Sequence, residues 1–151
     1  MAARSRRSET TESVARYYAD LTGEYEAYGG AARSWNYGVW EPDVRTHQAA
    51  LQRGKEVLLR DLEVGPGTRV LDVGCGSGGF ALWCASQLGC RVTGLTICEE
   101  HVELAREHAL EAGVADRCEF LRMDMDRLEL ADQSFDVVTN QDSFCHARHK
   151  R

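Results

Sequence analysis

Two stretches carry residue types able to do chemistry. In the first, Asp72 is followed by glycines at positions 74, 76, 78 and 79. Glycine adopts positive φ and leaves backbone N–H groups open to a ligand, while a carboxylate in front attracts a cationic amine and repels a pyrophosphate. The second stretch, Asn140-Gln141-Asp142-Ser143-Phe144-Cys145-His146, ends in an imidazole. Such a ring titrates near neutral pH, so His146 is a candidate general base and Asp142 a second one. Each has a plainer alternative. His146 opens a basic run to Arg151, and Asp142 suits a helix cap.

The elements that must position these residues follow from the apolar pattern. Val70 to Val73 stops at the glycines and resumes as Phe80-Ala81-Leu82-Trp83-Cys84-Ala85, which predicts a buried strand, a tight turn and a helix. Further strands are predicted over 91–95, 118–121 and 135–139, and a helix over 99–112 with Val102, Ala105, Ala109 and Leu110 inward. Short strands alternating with helices predict an α/β, Rossmann-like doubly wound parallel sheet with helices on both faces. Ahead of it, residues 1–10 read as a flexible tail, 11–62 as a helical cover and 63–151 as the core. In the cover, Val14, Tyr17, Tyr18 and Leu21 recur at helical spacing up to a break at Thr22-Gly23 or Gly29-Gly30. A second cover helix is predicted from Asp43 to about Leu62, with Val44, His47, Leu51, Val57, Leu58 and Leu62 inward. Parallel sheets bind ligands beyond the carboxyl ends of their strands, which here carry Asp72 and its glycines, Thr96-Ile97, Asp124-Met125 and Asn140-Gln141.

Composition narrows the partners. The net charge of −6 opposes a generic nucleic-acid surface, which needs clustered Lys and Arg. No apolar run approaches the length of a membrane span, and the start lacks the apolar segment of a secretory signal, so the expectation is a cytoplasmic protein with a small-molecule substrate. None of the six cysteines forms a C-x-x-C pair, and most lie in apolar strand or helix patterns, which predicts reduced thiols and no metal. Cys75 in the glycine loop and Cys145 near His146 are the two where alkylation is expected to inhibit.

Two ligand classes use such a loop. Gly74-x-Gly76-x-x-Gly79 fits the dinucleotide fingerprint, which also needs an acid about twenty positions on. That place reads Val92-Thr93-Gly94-Leu95-Thr96-Ile97, with no carboxylate before Glu99. By contrast, Asp72-x-Gly74-x-Gly76-x-Gly78 behind Val70-Leu71 resembles the first motif of class I S-adenosylmethionine-dependent methyltransferases. Val92 to Thr96 and Asn140 to His146 extend the resemblance to the small-molecule enzymes related to sarcosine/dimethylglycine, tocopherol and cyclopropane-fatty-acid methyltransferases.

The resemblance implies a set of roles. Gly74, Cys75 and Gly76 would approach the methionine moiety of S-adenosylmethionine, with Asn140 and Gln141 beside or beneath it. Asp124 would accept from the adenine amino group and Met125 would pack on the ring or donate its backbone N–H to it. Where many class I enzymes hold the ribose with a carboxylate this chain has Thr96, a residue the related lipid and tocopherol-type enzymes share, so Thr96, Ile97 and His101 are the candidates for that contact. The aromatic segment Ser34 to Pro42 is similar to the family's covering segment, and aromatic faces attract a sulfonium, which makes Tyr37 a candidate. Relatives continue past the fourth strand, so the chain is expected to be truncated there, with a second copy or another subunit on the open strand edge as the alternative. The expected activity is methyl transfer to a small molecule; a non-catalytic cofactor-binding module is the runner-up and a nucleotide-dependent oxidoreductase the third.

Overall fold

The computed structural model describes residues 2–148, so the last three residues of the basic run lie outside it. Four strands follow one another in the core: β1 (Arg69–Val73), β2 (Arg91–Thr96), β3 (Cys118–Arg122) and β4 (Val137–Thr139). They form one wholly parallel sheet in the order β3-β2-β1-β4. The chain winds outward from β1 to β3 and then returns to place β4 on the other side of β1. Strand order therefore reverses between β1 and β4, and a crevice opens above their tips.

The helices are α1 (Ala2–Asp20), α2 (Thr22–Gly29), α3 (His47–Leu58), α4 (Gly79–Trp83), which continues as a π-turn over Cys84–Leu88, and α5 (Glu99–Glu111). No described helix is long and apolar enough to cross a membrane. Val70, Val92 and Phe120 turn one sheet face toward Phe80, Ala81, Val102, Ala105 and Ala109, so α4 and α5 form a single apolar layer there. The other face carries Leu71, Val73 and Leu95. The segment containing Met123, Met125, Leu130 and Phe135 packs on it, so among the described residues a loop stands where a second helix layer was expected.

Several boundaries differ from expectation for identifiable reasons. The helix α1 already includes Ala2 to Thr10, where a tail was expected. The break between α1 and α2 falls at Leu21, and the second expected break at Gly29-Gly30 also occurs. Helix α3 starts at His47 because the Thr46 side chain accepts from the Ala49 N–H at 3.2 Å, an N-cap. Its inner face is Ala50, Leu51, Gly54 and Lys55, and Leu62 lies beyond its end and is exposed. On α5 the buried positions are His101, Val102, Ala105, His108 and Ala109, whereas Leu110 is 71% exposed. A step of about 100° per residue carries Leu110 off the stripe that Ala109 closes. All six cysteines are free.

Candidate functional site

The tips of all four strands line one cavity. From β1 come Asp72, Gly74, Cys75 and Gly76, and from the ends of β2 and β3 come Thr96, Ile97, Asp124 and Met125. The segment after β4 adds Gln141, Asp142, Ser143 and His146, and His101 reaches in from α5. The roof is the helical cover: Thr11, Val14, Tyr18, Tyr25 and the stretch Arg33 to Asn36. Residues far apart in sequence thus meet at one crevice, and twelve of the fourteen positions singled out from sequence face it.

The other two do not. Tyr37 is 84% exposed and stands outside the cavity. The cause is local: the Asn36 carboxamide oxygen accepts from the Gly38 N–H at 2.9 Å, a side-chain turn that sends Asn36 inward and Tyr37 out. The aromatic wall is instead Tyr18, Tyr25 and Trp35, with Tyr25 stacked on Trp35 at 4.5 Å between ring centroids. Asn140 is a brace. Its amide donates to the Val73 carbonyl at 2.9 Å and to Ser143 Oγ at 2.7 Å, and its oxygen accepts from the Phe144 N–H at 3.0 Å.

Asp72 is the chemically unusual group. Its side chain is 2% exposed, one oxygen accepts from the Thr139 hydroxyl at 3.4 Å, and Oδ2 has no hydrogen-bond partner among the described residues. A buried carboxylate short of partners is destabilised in its charged form. Burial accordingly pushes Asp72 up to about 7, against the opposing pull of the Thr139 bond and the Lys55 ammonium. Trp35 lines the same cavity with an indole N–H that is also unpartnered among the described residues. Two residues of the cavity lining thus each carry a buried polar atom without a partner among the described residues. Gly76, at φ +53°, has nothing within 4 Å of where a Cβ would stand, so the space over its backbone is open.

Three contacts lock the cover onto the glycine loop, and sequence reasoning missed them all. Lys55 is buried and donates to the carbonyls of Ala32 at 2.8 Å and Gly79 at 2.9 Å. Burial pulls its ammonium down to about 8. Glu26 on α2 accepts from the Ser77 hydroxyl at 2.8 Å and stands 3.3 Å from Nε2 of His108, whose Nδ1 lies 3.1 Å from the Ser77 carbonyl. Gly79 touches the backbone of Ala32 and Arg33 so closely that a Cβ would collide with both. The signal for Lys55 was present, because it lies four residues after Leu51 on the inner stripe of α3.

Further contacts reach the other strand tips. Thr11 donates to Asp124 at 3.0 Å, and Thr22 stands 3.2 Å from Nε2 of His101. His101 packs edge-on against Trp35 at 4.4 Å, and burial pulls it down to about 4, so it is a neutral ring at physiological pH. His146 is exposed, and its Nε2 lies 2.8 Å from the hydroxyl of Tyr18. Asp142 is exposed at the cavity rim, with φ at 61°. Burial and the nearby Asp72 push the Cys75 thiol well up, so it stays protonated. Among the described residues no group of three or more His, Cys, Asp or Glu is placed to hold a metal ion.

A parallel sheet with a glycine loop at its switch point and a cavity above its strand tips defines an α/β protein of the doubly wound, ligand-binding class. Residues 70–151 match the family described as "Methyltransferase domain", and the chain belongs to that family. Among curated relatives it is 32% identical over 148 residues to cycloartenol-C-24-methyltransferase 1 of Oryza sativa subsp. japonica, covering 95% of this chain and 41% of that protein. It is 37% identical over 111 residues to 27-O-demethylrifamycin SV methyltransferase of Amycolatopsis mediterranei, covering 74% of this chain and 41% of the relative. The chain thus spans about two fifths of the length of these relatives. Among solved structures, the [4+2]-cyclase SpnF superposes with a TM-score of 0.78 at 29% identity over 85% of this chain and 47% of that one. A sarcosine dimethylglycine methyltransferase from Galdieria sulphuraria shares the fold, with a TM-score of 0.74 at 22% identity over 85% of this chain and 49% of that one.

Proposed function

We propose that this chain is the cofactor-binding portion of an S-adenosylmethionine-dependent methyltransferase whose acceptor is a small molecule. The observation that carries the reading is the unpartnered Oδ2 of buried Asp72, set beside the open backbone of Gly76 in a cavity roofed by aromatic rings. An ammonium-bearing ligand gives that oxygen the partner it lacks, and aromatic faces suit a sulfonium. When bound, the cofactor supplies a methyl carbon activated by positive sulfur.

The remaining tasks fall to residues of the chain. Gly76, with open space over it, lets a ligand approach the backbone beside Cys75, whereas the space over Gly74 is taken by the Ser143 side chain, so Gly74 serves the packing of that segment against the loop. Thr96, Ile97 and His101 offer a hydroxyl, an apolar face and a neutral ring at the place of the ribose contact. On this reading Asp124 and Met125, which line the cavity, would hold the purine, and Gln141 would lie beneath the opposite end. Tyr18 and Trp35 exclude water from the roof, in the place expected for Tyr37. His146 stands over the cavity as the group that accepts a proton from the acceptor, and Asp142 shares the rim. The names of the relatives, a sterol and a rifamycin methyltransferase, support an acceptor of the natural-product kind.

Calorimetric titration with S-adenosylhomocysteine and with NAD tests the cofactor. Saturable binding of the first is expected, and binding of NAD alone would overturn the reading. A second reading, a binding module with other chemistry, draws on the likeness to a protein described as a cyclase. Labelled methyl transfer into a metabolite extract separates the two. A chain that binds S-adenosylhomocysteine yet transfers no label supports the second.

A further inference from the structure

Tyr18 and His146 lie 128 positions apart, yet Oη and Nε2 come within 2.8 Å. Their rings meet edge to face with centroids 5.5 Å apart. Tyr18 is fixed on its other sides. Its ring runs nearly parallel to that of Trp35 at 6.1 Å, and its carbonyl accepts from the Thr22 hydroxyl at 2.9 Å. Burial, with Cys145 and Tyr17 nearby, raises the phenol further above its ordinary range, so Tyr18 is neutral at any physiological pH.

A neutral phenol can donate to Nε2 or accept from Nε2–H, and the two choices have opposite consequences. If Oη donates, the neutral imidazole carries its proton on Nδ1 and its only lone pair is occupied. No base is then left. If Nε2–H donates, the lone pair stays on Nδ1, and protonation there gives an imidazolium whose bond to Oη is charge-assisted.

We propose that Tyr18 is the positioning residue of His146, its Oη accepting from Nε2–H so that Nδ1 is the nitrogen that takes up the acceptor's proton. This rests on the reading of His146 as the base. In the step, an X–H bond of the acceptor breaks, its electron pair stays on X, and an N–H bond forms at Nδ1. Because Tyr18 belongs to α1, the ring is set only while the cover is docked. The Thr11–Asp124 and Thr22–His101 contacts belong to the same arrangement. The titratable groups facing the pair are Tyr17, Tyr25, His101 and Cys145 from the packed elements, with Asp126, Asp142 and Arg148 along the cavity wall.

Nitrogen-15 histidine spectra of the chain, recorded without cofactor or acceptor in alkaline buffer, separate the two tautomers. The Nε2–H form is expected to dominate in the unaltered chain. Tyr18→Phe keeps the ring packing and removes the hydroxyl, so this preference is expected to relax toward a mixture while the near-ultraviolet circular dichroism is retained. A population of Nε2–H in the unaltered chain no greater than that of free histidine, which already favours this tautomer, overturns the proposal, as does a tautomer ratio unchanged in a folded Tyr18→Phe protein. Should the variant fail to fold, the ratio in the unaltered chain decides alone. No methyl donor enters the measurement, so the tautomer and the transfer activity can each fail without the other.

Discussion

The ammonium of Lys55 donates to the carbonyl oxygen of Gly79 at 2.9 Å, tying the cover helix α3 to the first residue of the helix behind the glycine loop. A second bond from the same nitrogen, to Ala32 at 2.8 Å, ties in the roof segment. Lys55→Met removes both and leaves two carbonyls short of a donor, which is expected to cost about 1–2 kcal/mol in urea unfolding at pH 7. The pH dependence has a definite sign. The folded-state pKa, about 8, lies below the ordinary value of 10.5, so the native state binds fewer protons between these limits. Stability of the unaltered chain therefore rises with pH across that window, and the gap to Lys55→Met widens.

Asp72→Asn keeps the shape of the side chain and removes its charge. The folded-state pKa of about 7 exceeds the ordinary 3.8, so the native state binds more protons in between and this group destabilises progressively as pH rises through the interval. The variant is expected to be more stable than the unaltered chain at pH 8, by roughly 1–4 kcal/mol. Near pH 4 the difference should vanish. Affinity for S-adenosylhomocysteine is expected to fall at least tenfold in calorimetry. A variant that gains no stability at pH 8 contradicts the buried, charge-deprived site described for Asp72.

Two glycines of one loop should respond in opposite ways. A Cβ on Gly76 meets no protein atom within 4 Å, and its positive φ of 53° costs roughly 1–2 kcal/mol for a larger residue. Gly76→Val is therefore expected to fold and to lose S-adenosylhomocysteine binding. A Cβ on Gly79 would strike the backbone of Arg33 and stand 2.6 Å from the Ala32 carbonyl, so Gly79→Ala is expected to lose about 1–3 kcal/mol or more of stability. Thermal unfolding of both variants, beside calorimetry of the first, checks the contrast.

Glu26→Ala removes the carboxylate that accepts from the Ser77 hydroxyl and faces His108 Nε2. A loss of roughly 1–3 kcal/mol is expected from the stranded, buried Ser77 hydroxyl. Amide exchange in α2 should quicken while that in β1 and β2 changes little, because the sheet keeps its own ladder.

The parts read correctly from sequence are those whose cause is local. Val70, Leu71 and Val73 mark β1 as buried, and the stop at Gly74 marks the loop. The strand tips followed from parallel topology, and twelve chosen positions reach the cavity because tips of one sheet share one edge. What stayed hidden depends on contacts between distant segments. Nothing near Lys55 announces that its partners are Ala32 and Gly79, and nothing near Tyr18 announces His146. Tyr37 misled because its burial is decided by the neighbouring Asn36 turn. Leu110 misled because apolar character alone did not outweigh its angle on α5.

The roof of the cavity is built from residues before position 37, and its floor from residues after position 71. Whatever fills the space between them acts as mortar. A ligand gripped by both surfaces lends its binding free energy to the attachment of α1 and α2, and a weakened attachment is returned as weaker binding in equal measure. Substitutions on the outer helices, remote from any reacting atom, are therefore expected to register first as changes in affinity.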